Sequence, residues 1–374
     1  MSDQYQLCNR CVMDTTAQNI QFNNEGNCHF CSDFEKNSAS VLKKSSEQRE
    51  SYLNAFLKEV KNSVASNSQY DCIIGVSGGL DSAWALYQAV NLGLKPLAVH
   101  MDNGWNSELA VHNIENLVKK LDVDLCTHVI DWEEYRQLMQ AFFDADVIDV
   151  ELLYDNAMLA VNYQYAQKFG IKYILAGTNT STEGFIMPEG WNWFKYDKKN
   201  IFSIYKANGH FKKIVSFPAI GVLDYAKFKV WNKIRWVSFL DLFDYQKKDV
   251  LKVLEEELGY RPYPYKHYES VFTRFYQGYI LPKKFKVDKR RLHLSTLIMS
   301  GQMSREEALQ NLESSPYPDE VQLAEDMKFF IKKMNWTEDS LRDYLQRPEC
   351  SHDLYPSSDS WRQLYRKIKS LLGK

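Results

Sequence analysis

One ten-residue segment, Ile73–Ser82, constrains the fold of this chain more than any other part of the sequence. Its residues are Ile-Ile-Gly-Val-Ser-Gly-Gly-Leu-Asp-Ser, and the apolar half predicts a buried strand that ends in a glycine-rich turn. An apolar stripe between Ala85 and Val90 predicts that a helix follows. Paired glycines let backbone N–H groups surround an anion, and a helix N-terminus favours negative charge at the same point. The segment therefore predicts a phosphate-binding turn between a strand and a helix.

This turn is not a Walker loop, because the Gly-x-x-x-x-Gly-Lys-Ser/Thr pattern and its lysine are absent. It resembles the PP-loop of ATP pyrophosphatases, enzymes that split ATP into AMP and pyrophosphate to activate a carbonyl-type oxygen. A purely structural strand–helix turn is the alternative interpretation. The resemblance implies that Asp81 holds Mg²⁺ against the phosphate oxygens, and that Ser77 and Asp81 take part in catalysis. The ATP phosphates are then expected on Ser77, Gly78, Gly79 and Ser82.

Residues 70 to about 180 alternate between strand-like and helix-like patterns. The predicted strands are 72–76, 96–100, 125–130 and 173–177. This alternation predicts an α/β fold, a parallel sheet with helices on both faces, which under the resemblance is the HUP-like PP-loop architecture. Ligands of such sheets bind beyond the carboxyl ends of the strands. The segments expected to converge there are Ser77–Ser82, His100–Trp105 and Gly177–Asn179.

Residues at these strand ends are the candidates for contacts with ATP and substrate. The candidate ATP-binding residues, beyond the turn itself, are His100, Asp102, Gly177 and Thr178. The candidate substrate-binding residues of this region are Asn103, Trp105 and Asn179. Glu183 follows shortly after, and by analogy with PP-loop enzymes it is a candidate for supporting Mg²⁺ or a proton transfer. A packed strand-end histidine at position 100 and a solvated turn at positions 102 and 103 are the alternatives.

Four of the seven cysteines form two Cys-x-x-Cys pairs, Cys8 with Cys11 and Cys28 with Cys31. Sixteen residues separate the pairs, and each pair can supply two ligands of a tetrahedral metal site. The pattern predicts a zinc-ribbon-like module with a structural Zn²⁺, because four thiolates leave no open position for catalysis. Two disulfides are the alternative, which a reducing compartment disfavours.

Composition limits the classes of function. The mean hydropathy of the 374 residues is −0.45, and no apolar run approaches the length of a membrane span. The N-terminus is polar rather than signal-like, so a soluble cytoplasmic protein is expected. The 46 basic and 48 acidic residues nearly cancel, which argues against a broad nucleic-acid-binding surface.

Four regions are predicted along the chain. They are a zinc module at 1–35, a linker and helix at 36–68, a PP-loop domain at 69–245, and a mostly helical C-terminal region at 246–374. The PP-loop domain ends in an irregular aromatic stretch with a strand-like segment, Ile214–Phe217, and the C-terminal region ends in a basic helix near Tyr365–Lys374. The C-terminal region also holds a basic cluster that is a candidate grip for a second phosphate of the substrate, with a solvated helix face as the alternative. Its members are Lys289, Arg290, Arg291 and His293.

Several motifs together resemble the N-acetyl sugar amidotransferase family of bacterial O-antigen (lipopolysaccharide) and nonulosonic-acid pathways. In chain order they are the Cys8–Thr16 segment, the second Cys-x-x-Cys, Ser77–Ser82, Asn103-Gly104-Trp105, Arg291-x-His293-Leu294-Ser295 and Ser300-Gly301-Gln302-Met303. The resemblance covers nearly the whole chain. It implies an ATP-dependent enzyme that converts an acetamido group of a nucleotide-activated sugar into an acetamidino group, releasing AMP and pyrophosphate.

The nitrogen donor is expected to come from partner proteins. Met1-Ser2 offers no N-terminal cysteine nucleophile, and no lone cysteine lies in a recognisable nucleophile elbow. The resemblance implies a glutaminase and a cyclase-like barrel that supply ammonia, similar to the pair used in histidine biosynthesis.

Three other functions compete with this prediction. A tRNA-thiolating PP-loop enzyme commonly needs extra cysteines, but Cys72 and Cys126 lie inside predicted strands and form no further pair. A non-catalytic ATP-binding protein is expected to lack part of the loop, which is complete here. An ammonia-dependent synthetase acting on a carboxylate would share all the chemistry except the acceptor.

Overall fold

A five-stranded parallel sheet forms the centre of the protein. The computed structural model describes residues 5–209, 212–263, 268–317 and 319–359. The strands are β1 (Cys72–Gly75), β2 (Pro96–Asp102), β3 (Leu125–Val129), β4 (Tyr173–Ala176) and β5 (Arg235–Ser238). They lie in the order β3-β2-β1-β4-β5, and every neighbouring pair is parallel. The central position of β1 places the turn that follows it at the middle of the carboxyl edge.

Helices precede, cover and follow the sheet. Those up to the end of the sheet are α1 (His29–Leu42), α2 (Ser46–Asn62), α3 (Leu80–Asn91), α4 (Glu108–Leu121), α5 (Trp132–Asp144), α6 (Leu152–Lys168), α7 (Thr180–Glu183), α8 (Lys198–Ala207) and α9 (Val222–Ala226). Those after it are α10 (Lys247–Leu258), α11 (Val271–Phe275), α12 (Arg290–Met299), α13 (Arg305–Glu313), α14 (Glu320–Met334) and α15 (Glu338–Gln346). α9 and α11 continue as π-helical segments, Lys227–Trp231 and Tyr276–Phe285.

Strand alternation divides the core into two layers. Ile73 packs with α5 and α6 on one face of the sheet, and Ile74 packs with α3, α4 and α10 on the other. Both side chains are fully buried, as expected for a parallel sheet covered on both faces. The α/β class with a parallel sheet and helices on both faces is therefore confirmed.

The first four strands form where the hydrophobic runs predict them, but the fifth does not. Ile214–Phe217 is not a strand, because the Glu134 carboxylate accepts from the backbone N–H groups of Val215 and Ser216, at 2.8 and 2.7 Å. The sheet is completed by β5, whose four residues are only partly buried or exposed at the sheet edge. Such a short edge strand carries almost no periodic signal.

The C-terminal helices pack onto the sheet domain through the segment after β2. The backbone N–H of Ser107 donates to Glu269 O, and that of Val271 donates to Trp105 O, both at 2.9 Å. This joint brings residues 269–271 to the carboxyl edge of the sheet. The predicted basic helix near Tyr365–Lys374 lies outside the described residues. Among the residues that the structure describes, none of the helices combines the length and the hydropathy of a membrane span.

Candidate active site

The PP-loop turn, residues 76–82, is held in shape by hydrogen bonds among its own residues. The backbone N–H of Gly79 donates to Ser77 Oγ at 3.2 Å, and that of Ser77 donates to Ser82 Oγ at 3.3 Å. Ser82 Oγ donates in turn to Gly79 O at 3.0 Å. Because Gly79 is the residue that precedes α3, the two serines fold the loop around the N-terminus of that helix. The arrangement is suited to a phosphate group.

Two glycines allow close approaches at this turn. Gly78 has a φ of +83°, and a Cβ there would lie 2.7 Å from Ala110 O. Gly177, at the end of β4, lies so near the start of α3 that its Cβ would be 2.7 Å from Asp81 O and 2.8 Å from the backbone nitrogen of Ser82. The end of β4 is therefore set directly beside the PP-loop.

Two side chains support the loop from neighbouring elements. His100 Nδ1 donates to Val76 O at 2.8 Å, a tautomer assigned from the carbonyl acceptor, and Nε2 accepts from Asn106 at 3.0 Å. Tyr263 donates its hydroxyl hydrogen to Gly78 O at 3.2 Å. His100 is buried and supports the loop from β2 rather than lining the space above it.

The carboxylate of Asp81 accepts a hydrogen bond from the hydroxyl of Tyr245. Asp81 lies in the first turn of α3, and Tyr245 lies just before α10. Burial raises the pKa of Tyr245, and the negative charges of Asp81 and Glu183 raise it further. The phenol therefore stays a donor at neutral pH and fixes one oxygen of the carboxylate predicted to hold Mg²⁺.

A cavity of about 660 Å³ extends from the PP-loop to the C-terminal helices. From the sheet domain it is lined by Ser77, Gly79, Asp81, Ser82, Gly177, Thr178 and Glu183, among others. From the C-terminal region it is lined by Tyr268, Glu269, Arg274, Gln277, Lys289, Arg290 and His293, among others. Most of the predicted ATP-binding residues and most of the predicted basic cluster thus face the same space.

The cations of the C-terminal wall are paired with carboxylates. Lys289 Nζ lies 2.7 Å from Glu151, whose two oxygens also accept from Gln277 Nε2 at 2.9 Å. Arg290 pairs with Asp288 at 2.8 Å. Because Glu151 accepts from the amide nitrogen of Gln277, the carbonyl oxygen is the atom that Gln277 offers to a ligand. The wall is therefore polar rather than strongly positive.

A second group of ion pairs lies beside this wall, and only Asp149 of its members is fully buried. Lys195 contacts Asp149 at 2.8 Å and Asp155 at 2.7 Å, and Asp155 lines the cavity. Burial of Asp149 favours a raised pKa, but the charges of Lys195 and Lys289 more than offset it, so the pKa lies below its usual value. Asp149 is thus a buried carboxylate at neutral pH.

Several predicted site residues lie outside the cavity and hold the structure together. Asp102 accepts from the backbone N–H of Gly104 at 2.8 Å, and Asn103 accepts from that of Trp105 at 3.1 Å. Trp105 is fully buried, with its ring 5.4 Å from that of Phe272. The Asn103-Gly104-Trp105 motif therefore forms the joint between the sheet domain and the C-terminal helices.

Asn179 and Arg291 also point away from the cavity. Asn179 caps α7 by accepting from the backbone N–H of Thr182 at 2.8 Å, which sets the short helix that carries Glu183. Arg291 pairs with Asp14 of the N-terminal module at 3.0 Å. Gly78 shapes the loop without lining the cavity.

The four paired cysteines meet in one buried cluster. Their sulfur atoms all lie within 4.8 Å of one another, with Sγ–Sγ distances of 3.9 Å for Cys8–Cys31, 3.6 Å for Cys11–Cys28 and 3.7 Å for Cys28–Cys31. A tetrahedral zinc site with Zn–S bonds of about 2.3 Å has edges of about 3.8 Å. Backbone N–H groups, such as that of Met13 to Cys11 Sγ at 3.4 Å, also point at the sulfurs. The donor set therefore fits zinc, which would fix this module.

Sequence reasoning missed the residues that C-terminal folding brings to the PP-loop. Two tyrosines donate hydrogen bonds to the turn, Tyr245 to Asp81 and Tyr263 to Gly78 O. Glu269 lies close to it as well, because a Cβ on Gly79 would be 3.4 Å from Glu269 Oε1. The one available signal is the density of tyrosines between Tyr260 and Tyr268. A dense aromatic stretch, however, favours core packing as much as a site.

Two family models each match a part of this chain. Residues 52–187 match the family described as NAD synthase, and residues 269–369 match the family described as LPS biosynthesis protein WbpG-like, C-terminal domain. No curated protein matches significantly. Similar solved structures include an NMN synthetase from Francisella tularensis, with 15% identity and a TM-score of 0.26 over 58% of this chain and 98% of that one. Another is an NH3-dependent NAD synthetase from Campylobacter jejuni subsp. jejuni, with 16% identity and a TM-score of 0.29 over 56% and 82%.

The first family match bears on the type of enzyme. A domain of the NAD synthase type indicates an ATP-using ligase or amidotransferase, and its PP-loop implies ATP and Mg²⁺. The second match begins at residue 269, where the C-terminal helices join the carboxyl edge of the sheet. The chain thus joins a PP-loop ATP pyrophosphatase-type domain to a WbpG-like C-terminal domain of the kind found in LPS biosynthesis proteins.

Proposed function

We propose that this protein is an ATP-dependent amidotransferase that converts an acetamido group of a nucleotide-activated N-acetyl sugar into an acetamidino group. The observation that carries the proposal is the cavity shared by the PP-loop and the WbpG-like domain. An adenylating enzyme must hold ATP and its acceptor in one space, and this cavity has a phosphate-binding turn at one end and a polar wall at the other. Its volume of about 660 Å³ falls in the usual range for small-molecule sites.

The proposed reaction has two steps. The acetamido oxygen attacks the α-phosphorus of ATP, an O–P bond forms, and the bond to the β-phosphate breaks to release pyrophosphate. Ammonia then attacks the imidate carbon, a C–N bond forms, and the C–O bond breaks to release AMP. The nitrogen loses protons to solvent or a base, and a protonated amidine remains on the sugar.

Residues of the PP-loop would stabilise the first step. Backbone N–H groups at the start of α3 and the hydroxyl of Ser77 would donate to phosphate oxygens as charge builds on the leaving group, whereas Ser82, whose hydroxyl donates to Gly79 O, holds the shape of the loop. Asp81, oriented by Tyr245, would hold Mg²⁺, which when bound neutralises phosphate charge. Glu183 lies on the same side of the cavity and is the candidate for proton transfer.

The C-terminal wall would recognise the acceptor. Lys289 and Arg290 are already paired with Glu151 and Asp288, so they supply directed hydrogen bonds rather than bare charge for a diphosphate. Gln277 offers a carbonyl oxygen, which fits the N–H of an acetamido group. His293 completes the polar end.

Ammonia is proposed to come from a partner glutaminase with a cyclase-like subunit. A synthetase that adenylates a carboxylate is the second candidate function, favoured by the match of residues 52–187 to the NAD synthase family. The two functions share the ATP chemistry and differ in the acceptor group.

AMP release with ATP, Mg²⁺ and ¹⁵N-ammonium tests the proposal directly. UDP- and CMP-linked N-acetyl sugars are added one at a time, and fragment ions from mass spectrometry locate the ¹⁵N. Sugar-dependent AMP with ¹⁵N on the acetyl carbon supports the proposal. The Asp81→Ala variant should lose AMP formation, whereas Asp339→Ala, at an exposed helix position, should retain it. Label only in a carboxamide favours the second candidate, and AMP that requires tRNA and a sulfur donor contradicts both.

A further inference from the structure

Helix α12 presents different residues to the cavity and to the N-terminal module. Arg290, His293 and Leu297 line the cavity at a spacing of three and four residues. Arg291 and Ser295, four residues apart, contact the N-terminal module instead. These two sets of residues follow two adjoining stripes along one short helix. A shift of this helix would therefore move both contacts together.

The contacts of the N-terminal module are made by the first knuckle, residues 8–13. Arg305 donates from Nη2 to Cys8 O at 2.9 Å and from Nε to Cys11 O at 3.1 Å. Arg291 donates from Nη1 to Val12 O at 2.9 Å. Two arginines thus donate to three backbone carbonyls of the loop that carries two of the four sulfurs, those of Cys8, Cys11 and Val12.

Apolar packing joins the same parts. Val12 is fully buried, and it lies in one cluster with Leu294 and Met303. Leu294 and Met303 also line the cavity. The backbone N–H of Val12 donates to Ser295 Oγ at 3.2 Å. The first knuckle therefore forms the back of the cavity wall.

We propose that Arg291 and Arg305 are positioning residues that make the cavity wall depend on the metal state of the cysteine cluster. Four sulfurs within 4.8 Å need a cation to stay together as thiolates, so metal binding fixes the shape of the first knuckle. The guanidinium group is a rigid planar fork, so fixed carbonyls fix the two arginines and, through them, the starts of α12 and α13. The kinetic part of this inference rests on the proposed function, whereas the structural part does not.

Hydrogen exchange of the full-length protein tests the structural part. Peptides that cover residues 290–299 are compared with peptides that cover residues 72–91, before and after removal of zinc with a chelator. Zinc removal should speed exchange in residues 290–299 and leave residues 72–91 unchanged. The Arg305→Ala variant should show the same faster exchange in residues 290–299 and the same unchanged exchange in residues 72–91. It should do so while it retains its zinc, as measured by elemental analysis.

A kinetic measurement separates positioning from general destabilisation. In the AMP-release assay, Arg305→Ala should raise the KM for the acceptor by roughly 2- to 30-fold, the range expected for coupling through packed networks, while the KM for ATP stays unchanged. Arg305→Lys restores one of the two donors, so its KM for the acceptor should lie between that of Arg305→Ala and that of the wild type. Arg347→Ala is the matched control and should change neither KM. It also removes a hydrogen bond from an arginine to a backbone carbonyl, that of Phe143, 204 residues away in sequence.

Unchanged exchange in residues 290–299 after full removal of zinc would overturn the inference. Equal increases in residues 72–91 would overturn it too, because they indicate general loosening of the fold. If Arg305→Ala does not fold, the chelated wild type decides. If the wild type shows no acceptor-dependent AMP, the proposed function fails, and exchange alone decides whether the cluster is coupled to the wall.

Discussion

The hydroxyl of Tyr245 donates a hydrogen bond to the carboxylate of Asp81, across 164 residues of sequence. Asp81 belongs to the glycine-rich turn that defines the PP-loop, and Tyr245 lies between the sheet domain and α10. Because an ionised carboxylate only accepts, this donor orients the Asp81 carboxylate at the N-terminus of α3. The orientation of a PP-loop residue therefore depends on a residue outside the motif.

Replacing Tyr245 with Phe should lower AMP formation while the protein stays folded. The ring still fills its buried position, but the carboxylate loses the donor that orients it, and loss of such an orienting partner costs about 10- to 100-fold in metal affinity or activity. The measurement is the Mg²⁺ dependence of AMP release, whose midpoint should move to higher Mg²⁺. Tyr87→Phe removes a similar tyrosine–carboxylate bond, to Glu257, and serves as the control. An unchanged Mg²⁺ midpoint in Tyr245→Phe would contradict the assigned role.

Gly177→Ala should damage the ATP site more than its small size suggests. The new Cβ would meet backbone atoms of Asp81 and Ser82 at 2.7 to 2.8 Å, and backbone cannot swing aside as a flexible side chain can. Overpacking of this kind costs about 1–3 kcal/mol. Thermal unfolding should show the loss of stability, and calorimetry should show weakened ATP binding. Gly221→Ala meets its nearest atom at an ordinary 3.4 Å and should behave like wild type.

The sequence predicts the parts of this protein that depend on local patterns. The run of apolar residues before Ser77 predicts β1, and the Cys8/Cys11 and Cys28/Cys31 spacing predicts a four-sulfur cluster. Such patterns are local because strand periodicity and metal-ligand spacing involve neighbouring residues.

The direction in which each motif residue points could not be predicted. Arg291 and His293 are two residues apart on α12, yet one contacts Asp14 and the other lines the cavity. Likewise Trp105 fills the joint between two regions instead of contacting substrate. Long-range packing decides these directions, and a single sequence contains no record of which surface each helix meets.

Loss of one cysteine ligand should remove the metal and loosen the N-terminal module. Cys28→Ser leaves three thiolates, and structural zinc sites contribute folding free energy directly, so zinc should be lost and unfolding should begin at lower denaturant. Elemental analysis and urea titration measure both effects. Cys126→Ser, at a partly exposed position of β3, should retain its zinc. Full zinc content in Cys28→Ser would rule out the four-cysteine site.

Asp149→Asn should destabilise the protein at neutral pH, by an amount that shrinks in acid. Asp149 is fully buried and ion-paired with Lys195, but the Lys195 side chain is 26% exposed and keeps Asp155 as a second partner, so the substitution should cost about 1–3 kcal/mol rather than the full penalty of an unpaired buried charge. Asn tolerates the left-handed backbone at this position, where φ is +64°, so the substitution changes charge with little strain.

The pH dependence follows from the lowered pKa of Asp149. Its folded pKa lies below the unfolded value of 3.8, so its contribution to stability is fully present above that pH and is lost as pH falls through the folded pKa. The difference in unfolding free energy between wild type and Asp149→Asn should therefore stay constant from pH 7 to about pH 5 and narrow below pH 4. Urea titrations across this range measure it. The control is Asp224→Asn, which lies in a half-exposed pair with Lys198 and should cost no more than about 1 kcal/mol at any pH. If the difference for Asp149→Asn instead stays constant down to pH 3, Asp149 does not carry the buried charge.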